Sequence, residues 1–152
     1  MWPASFLFSL LTKSTVRSFE NALQNPAHAQ KALLKHLVQD LSNTEYGQHY
    51  HINTLEDFHK RLPIVDYDQL EPWIEKQKKT SARILTVEPP TIYEKTSGSS
   101  GPAKFIAYTP ALRRSFSRMF ALWVHDVLRF GPQFRTGKLF FSISPSFSEP
   151  QR

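Results

Sequence analysis

Apolar side chains recur at helical spacing near the start of the chain and again well beyond its middle. Between those stretches the pattern shortens toward that of strands. Trp2, Phe6, Leu7, Phe8, Leu10 and Leu11 open the series, and Val16, Phe19 and Leu23 continue it. That spacing predicts one amphipathic helix from about Ala4 to Leu23, its apolar stripe against a core. The apolar run is too short to span a bilayer. The first basic residue is Lys13 and no small-residue cleavage site follows, so the pattern is not that of an export signal. Asn25-Pro26 reads as a second helix start, with Asn as cap and Pro in the first turn. Leu33, Leu34, Leu37, Val38 and Leu41 carry that helix to Ser42-Asn43.

Thr44 to Ile52 is short, polar and aromatic, with Gly47 as a breaker, and reads as a solvated loop. Thr54-Leu55-Glu56-Asp57 has the form of a capping box, opening a helix through Arg61 that Pro63 ends. Asp66 caps a further helix carrying Leu70, Trp73 and Ile74. Lys76-Gln77-Lys78-Lys79 closes it, where positive charge suits the helix dipole. The period then changes. Thr91-Ile92-Tyr93 and Phe105-Ile106-Ala107-Tyr108-Thr109 are rich in β-branched and aromatic residues and predict two short strands. Thr109-Pro110 starts a long helix whose stripe, Leu112, Phe116, Met119, Phe120, Trp123, Val124 and Val127, is expected to pack in a core. It ends near Phe130-Gly131-Pro132. Lys138 to Ser144 is a nearly continuous apolar run, the signature of a strand covered on both faces. The expected class is therefore α/β: a helical N-terminal portion over residues 1–80, then β-loop-β-α-β over 91–144. Such an order is the start of a sheet-centred domain, because strand 138–144 calls for more neighbours than two short strands supply. No internal repeat is visible.

The length, 152 residues, suits one domain of ordinary size, and 12 Phe with 3 Trp can furnish a core. With no cysteine, disulfides, thiolate catalysis and Cys-based zinc sites are excluded. That absence fits a cytoplasmic protein. The net charge of +6 is unevenly placed. Residues 1–95 carry 11 basic and 11 acidic side chains, whereas residues 96–152 carry 8 basic and 2 acidic. The basic excess begins at the segment between the two strands and suggests an anionic ligand or acidic partner there. Arg113, Arg114, Arg118 and Arg129 can equally be the solvated face of the long helix.

That inter-strand segment is the richest in chemistry. Thr96-Ser97-Gly98-Ser99-Ser100-Gly101 is an unbroken run of hydroxyl side chains and glycine, and Lys104 follows three residues later. Glycine permits positive φ and close approach of a ligand. Successive N–H groups in such a turn form an anion nest, hydroxyls add donors, and a lysine supplies a full charge for a phosphate. The spacing is not the Walker pattern, which places four residues between its glycines and Lys-Ser/Thr after the second. A Ser/Gly run is also the composition of a flexible connector. Its position between two strands favours a held loop over a linker. His49 and His51 invite a metal hypothesis, but no carboxylate or third histidine is patterned with them, so no metal site is expected.

Thr96-Ser97-Gly98-Ser99-Ser100-Gly101-Pro102-Ala103-Lys104 resembles the phosphate-binding signature of adenylate-forming enzymes. Extended through Phe105-Ile106-Ala107-Tyr108-Thr109, it is closer to one branch, the acyl-acid amido synthetases of the auxin-responsive promoter family and its bacterial relatives. Asn43-Thr44-Glu45-Tyr46-Gly47 with Leu55-Glu56-Asp57-Phe58, and Leu62-Pro63-Ile64-Val65-Asp66-Tyr67-Asp68, resemble the same family's N-terminal region in the same order. The resemblance covers roughly residues 19–144. It implies that the chain is the N-terminal part of an adenylate-forming large domain, from a ligase several times longer.

The reaction so implied is ATP-dependent. A carboxylic acid attacks ATP to give an acyl-adenylate and pyrophosphate, and an amino acid amine then forms the amide and releases AMP. ATP and Mg2+ are the implied cofactors, and a carboxylic acid and an amino acid the implied partners. Neither nucleic acid nor membrane is expected. Thr96, Ser97, Gly98, Ser99, Ser100 and Gly101 would bind nucleotide phosphates, with Lys104 as both binding and catalytic residue. Ser99 stands where the family often has Thr, preserving the hydroxyl. Pro102-Ala103 replace a glycine or polar residue before the lysine, and Ala107 a proline, which bears on local rigidity. Alone, these residues are expected to be inactive. Two other readings remain open. One is a non-catalytic helical interaction or regulatory protein in which the loop is a connector. The other is a basic nucleic-acid-binding module using aromatics such as Phe130, Phe134 and Phe140, although no recognised motif accompanies them.

Overall fold

A computed structural model describes residues 3–96 and 104–130. Among them are six helices and one antiparallel hairpin: α1 (Pro3–Gln24), α2 (Pro26–Ser42), α3 (Glu45–His49), α4 (Leu55–Arg61), α5 (Tyr67–Lys78), β1 (Ile92–Lys95), β2 (Phe105–Tyr108) and α6 (Pro110–Phe130). The described part is therefore mostly helical. The strand expected at 138–144 lies outside the described residues, so the α/β expectation is met there only as far as the hairpin. No described helix is long and apolar enough to cross a membrane.

Side-chain caps set most of the boundaries. The Asn25 side chain accepts from the His28 N–H at 3.2 Å, and Pro26 occupies the first turn of α2. Thr54 and Asp57 form the reciprocal capping box at the start of α4, as the sequence predicts. Asp66 and Gln69 do the same for α5. At α6, Thr109 is buried and its hydroxyl accepts from the Leu112 N–H at 3.1 Å.

Thr44 to Ile52 departs from the solvated loop expected there. It contains α3, and Tyr46, Gly47 and Ile52 are buried. Thr44 joins two helices: its hydroxyl donates to the Leu41 carbonyl at 2.7 Å and accepts from the Gly47 N–H at 3.0 Å. Gly47 is required by proximity. A Cβ there would lie 1.9 Å from the Leu41 carbonyl oxygen, so the end of α2 and the turn of α3 can approach only over a hydrogen. The Glu45 and Tyr46 N–H groups donate to the carbonyls of Arg83 and Ile84 at 2.7 and 3.0 Å. Tyr46 meets both Tyr50 and Trp73 edge-on, each at 5.1 Å. Ile74 and Ile84 are buried as well.

The long helices hold a second correction. Leu10, Leu11, Phe19 and Leu23 of α1 are exposed, and among its described side chains, from Phe8 onward, the buried one is Thr12. Leu33 and Leu37 of α2 are likewise exposed, with Val38 the buried residue. In α6, Phe116, Met119, Phe120 and Trp123 are exposed rather than packed in a core. The reason lies in the partner chosen. α6 meets α1 at His125, whose Nδ1 lies 3.0 Å from the Thr12 hydroxyl, and Phe120 and Trp123 of its aromatic stripe are left more than half exposed.

Candidate functional site

The hairpin register pairs Ile92 with Tyr108 and Lys95 with Phe105. Alternation therefore puts Tyr93, Lys95, Phe105 and Ala107 on one face and Ile92, Glu94, Ile106 and Tyr108 on the other. The two faces differ. Tyr93, Phe105 and Ala107 are half-buried, whereas Ile92 and Ile106 are exposed. On the second face Tyr108 stacks on Phe116 of α6, with ring centroids 6.0 Å apart. A hydrogen bond to Glu94 raises the Tyr108 hydroxyl above the usual tyrosine range, because the carboxylate stabilises the protonated form.

Of the predicted loop residues, the structure places Thr96 and Lys104 and brings them together. The Thr96 N–H donates to the Lys104 carbonyl at 2.9 Å, and the Lys104 N–H donates to the Thr96 hydroxyl at 3.1 Å. This reciprocal pair closes the base of the loop and makes Lys104 its last anchored position. Ser97, Gly98, Ser99, Ser100 and Gly101 lie outside the described residues, as does the Pro102-Ala103 step.

Helix α5 holds the base of that loop. Its first residue, Tyr67, accepts the Phe105 N–H at 2.8 Å through its phenolic oxygen. The Lys104 ammonium stands 5.3 Å from the centre of the same Tyr67 ring. At the other end of α5, Lys78 lies over the Phe105 ring at 3.3 Å and over the Tyr93 ring at 5.7 Å, and it pairs with Glu75 at 2.5 Å. Tyr67 and Lys78 are eleven residues apart, about three helical turns, and so share one face of α5. Burial raises the Tyr93 hydroxyl above its ordinary range, and the nearby Glu75 carboxylate adds to the effect. Below the hairpin, Arg114 of α6 binds Glu88 at 2.7 Å, and that contact holds the Glu88 carboxyl below its usual range.

Sequence reasoning missed Tyr67 and assigned Lys78 only to the helix dipole. The signal was within reach, since Tyr67 belongs to one of the three ordered motifs and Lys78 falls on its helical face. Lys76 and Gln77 also do more than close a helix. Lys76 pairs with Glu45, while buried Gln77 donates to the Ala82 carbonyl and accepts from the Leu85 N–H. His49 is exposed and meets the rings of Tyr50 and Trp73; His51, also exposed, sits at φ 55°. No group of three or more potential metal ligands occurs among the described residues.

The profile of the GH3 family N-terminal domain matches residues 15–151, nearly the whole chain. The chain belongs to the GH3 family. Among curated GH3-like relatives, the jasmonoyl–L-amino acid synthetase JAR6 of Nicotiana attenuata is 27% identical over 113 residues, 71% of this chain and 20% of its own length. The probable indole-3-acetic acid-amido synthetase GH3.12 of Oryza sativa subsp. japonica is 28% identical over 107 residues, 67% of this chain and 18% of its own. The chain thus spans about a fifth of the length of the relatives it matches. The GH3 match takes in all three sequence motifs, including the hairpin and the face of α5 beneath it.

Proposed function

We propose that the β1–β2 loop is the phosphate cradle of an ATP-dependent acyl-acid amido synthetase, and that these 152 residues supply the cradle without turning over alone. The observation that carries this reading is the Thr96–Lys104 pair, which closes a Ser/Gly-rich loop and keeps a lysine at its rim. The donor set suits a polyphosphate. A run of hydroxyl side chains and glycines followed by one ammonium favours a multiply charged oxyanion and offers little to a neutral ligand.

In the complete reaction a carboxylate oxygen attacks the α-phosphorus of ATP. An acyl-adenylate forms and pyrophosphate leaves. The amine of an amino acid then attacks the acyl carbon, giving an amide and AMP. The first step brings an anion against an anion, so rate depends on donors placed where negative charge accumulates. Thr96 to Gly101 would hold the phosphate oxygens, and Lys104 would meet the charge that grows on them. Mg2+ would add charge neutralisation at the same oxygens. The acid and the amine are those of the acyl-acid amido synthetase class.

The test is a chimera in which this chain replaces the matching stretch of the jasmonoyl–L-amino acid synthetase relative. Acid-dependent ATP–pyrophosphate exchange is expected in the chimera and absent from the isolated chain. Lys104→Ala in the chimera should cost about 2–4 kcal/mol of transition-state stabilisation, with little change in acid affinity. An unchanged adenylation rate would remove Lys104 from the mechanism.

A further inference from the structure

In an antiparallel pair, hydrogen-bonded and non-hydrogen-bonded positions alternate. Thr96 and Lys104 are a bonded position, so Phe105, paired with Lys95, directs its N–H away from β1. That outward N–H would lack a ladder partner, and the Tyr67 hydroxyl accepts it at 2.8 Å. The same ring lies near the Lys104 ammonium, one residue earlier. One side chain therefore meets both the backbone just after the loop and the charge at its rim. Tyr67 is itself fixed, being the first residue of α5 behind the Asp66–Gln69 capping box. Lys78, on the same face, adds a second hold through the Phe105 ring.

We infer that Tyr67 is the positioning residue of the phosphate loop: its hydroxyl sets the direction of β2 at Phe105, and its ring gives the Lys104 ammonium a defined seat. This rests on the reading of the loop as a phosphate cradle, and it assigns the task of aligning the lysine to a helix outside the loop. The two halves of the role are chemically separable. Tyr67→Phe removes the acceptor and keeps the ring; Tyr67→Leu removes both.

Nuclear magnetic resonance on the full 152-residue chain tests this without a ligand. In Tyr67→Phe, amide exchange at Phe105 should quicken about tenfold, the scale of one lost hydrogen bond, while the Lys104 ε-methylene keeps its ring-current shift. In Tyr67→Leu that shift should vanish as well. The wild-type ring-current shift surviving in Tyr67→Leu, or unaltered Phe105 exchange in Tyr67→Phe, would overturn the inference. If Tyr67→Leu does not fold, Tyr67→Phe alone still decides the backbone half.

A titration with MgATP separates this inference from the functional reading. Tyr67→Leu and Lys104→Ala should each weaken binding, Tyr67→Leu more than Tyr67→Phe, and that difference, the ring's share, should shrink to within about twofold in the Lys104→Ala background, since the ring acts through the lysine. A ring's share that persists undiminished in the Lys104→Ala background, or full affinity in Tyr67→Leu beside a weakened Lys104→Ala, refutes the positioning role and leaves the cradle standing. Full affinity in Lys104→Ala refutes the cradle, and the exchange and ring-current results still judge Tyr67.

Discussion

Two regions rich in aromatic side chains end in opposite environments. Between Thr44 and Ile84, a stretch of short helices and turns, Tyr46, Ile52, Ile74 and Ile84 are buried, and Ile52 is only 1% exposed. Along α6, Phe120 and Trp123 are 55% and 60% exposed. The first region is built from close-range devices. Thr44 bridges two helix ends, Gly47 lets them touch, and the 83–84 backbone binds the start of α3. The second has a strong apolar stripe but touches α1 through the polar Thr12–His125 contact. A stripe states that a helix side is apolar; whether anything covers that side is settled elsewhere in the molecule.

The contrast can be broken most severely at Gly47. Gly47→Ala should cost about 3 kcal/mol, because its Cβ would strike the Leu41 carbonyl, a backbone atom with little room to move. Chemical denaturation measures this. A loss under about 1 kcal/mol would mean that the α2–α3 junction is looser than described. Next comes Ile52→Ala, with an expected loss of about 2–4 kcal/mol from transfer and cavity effects in the same experiment.

Acid should act through the caps. Asp57 accepts from the Thr54 hydroxyl and from the Asn53 and Thr54 N–H groups, and these bonds, with Arg61, hold its carboxyl below the usual range. A depressed folded-state value stabilises the fold above the unfolded carboxylate range, and that contribution is lost as pH falls through the folded value. Asp57→Asn should therefore flatten the acid limb of the stability–pH curve while changing its neutral-to-alkaline shape little. An unaltered acid limb would place the acid sensitivity elsewhere. The smallest effect belongs to α6. Trp123→Gln should change stability by no more than about 0.5 kcal/mol, as for an exposed site whose aromatic neighbour, Phe120, is itself exposed. A loss comparable to that of Ile52→Ala would erase the distinction between the two regions.

The sequence was most legible where structure depends on neighbours in the chain. The caps at Asn25, Thr54, Asp66 and Thr109 and both hairpin strands follow from local chemistry. Thr44–Ile52 was misread because Gly47 looks like a breaker, whereas here it is a contact point between two helix ends. Burial along α1 and α6 was misread because periodicity cannot choose a partner, and the selected contact is polar. At the candidate site, the strands that bring Thr96 and Lys104 together were legible from their β-branched and aromatic residues. Tyr67 was not, because its role depends on α5 meeting a strand 38 residues later in the chain.

The central claim, that the β1–β2 loop receives phosphate with Lys104 at its rim, is tested most directly by following backbone amides of the full chain during titration with MgATP. The expected result is saturable change confined to Thr96 through Phe105, strongly reduced in Lys104→Ala and preserved in Trp123→Gln. Changes centred on other residues, or a Lys104→Ala titration indistinguishable from wild type, would contradict it.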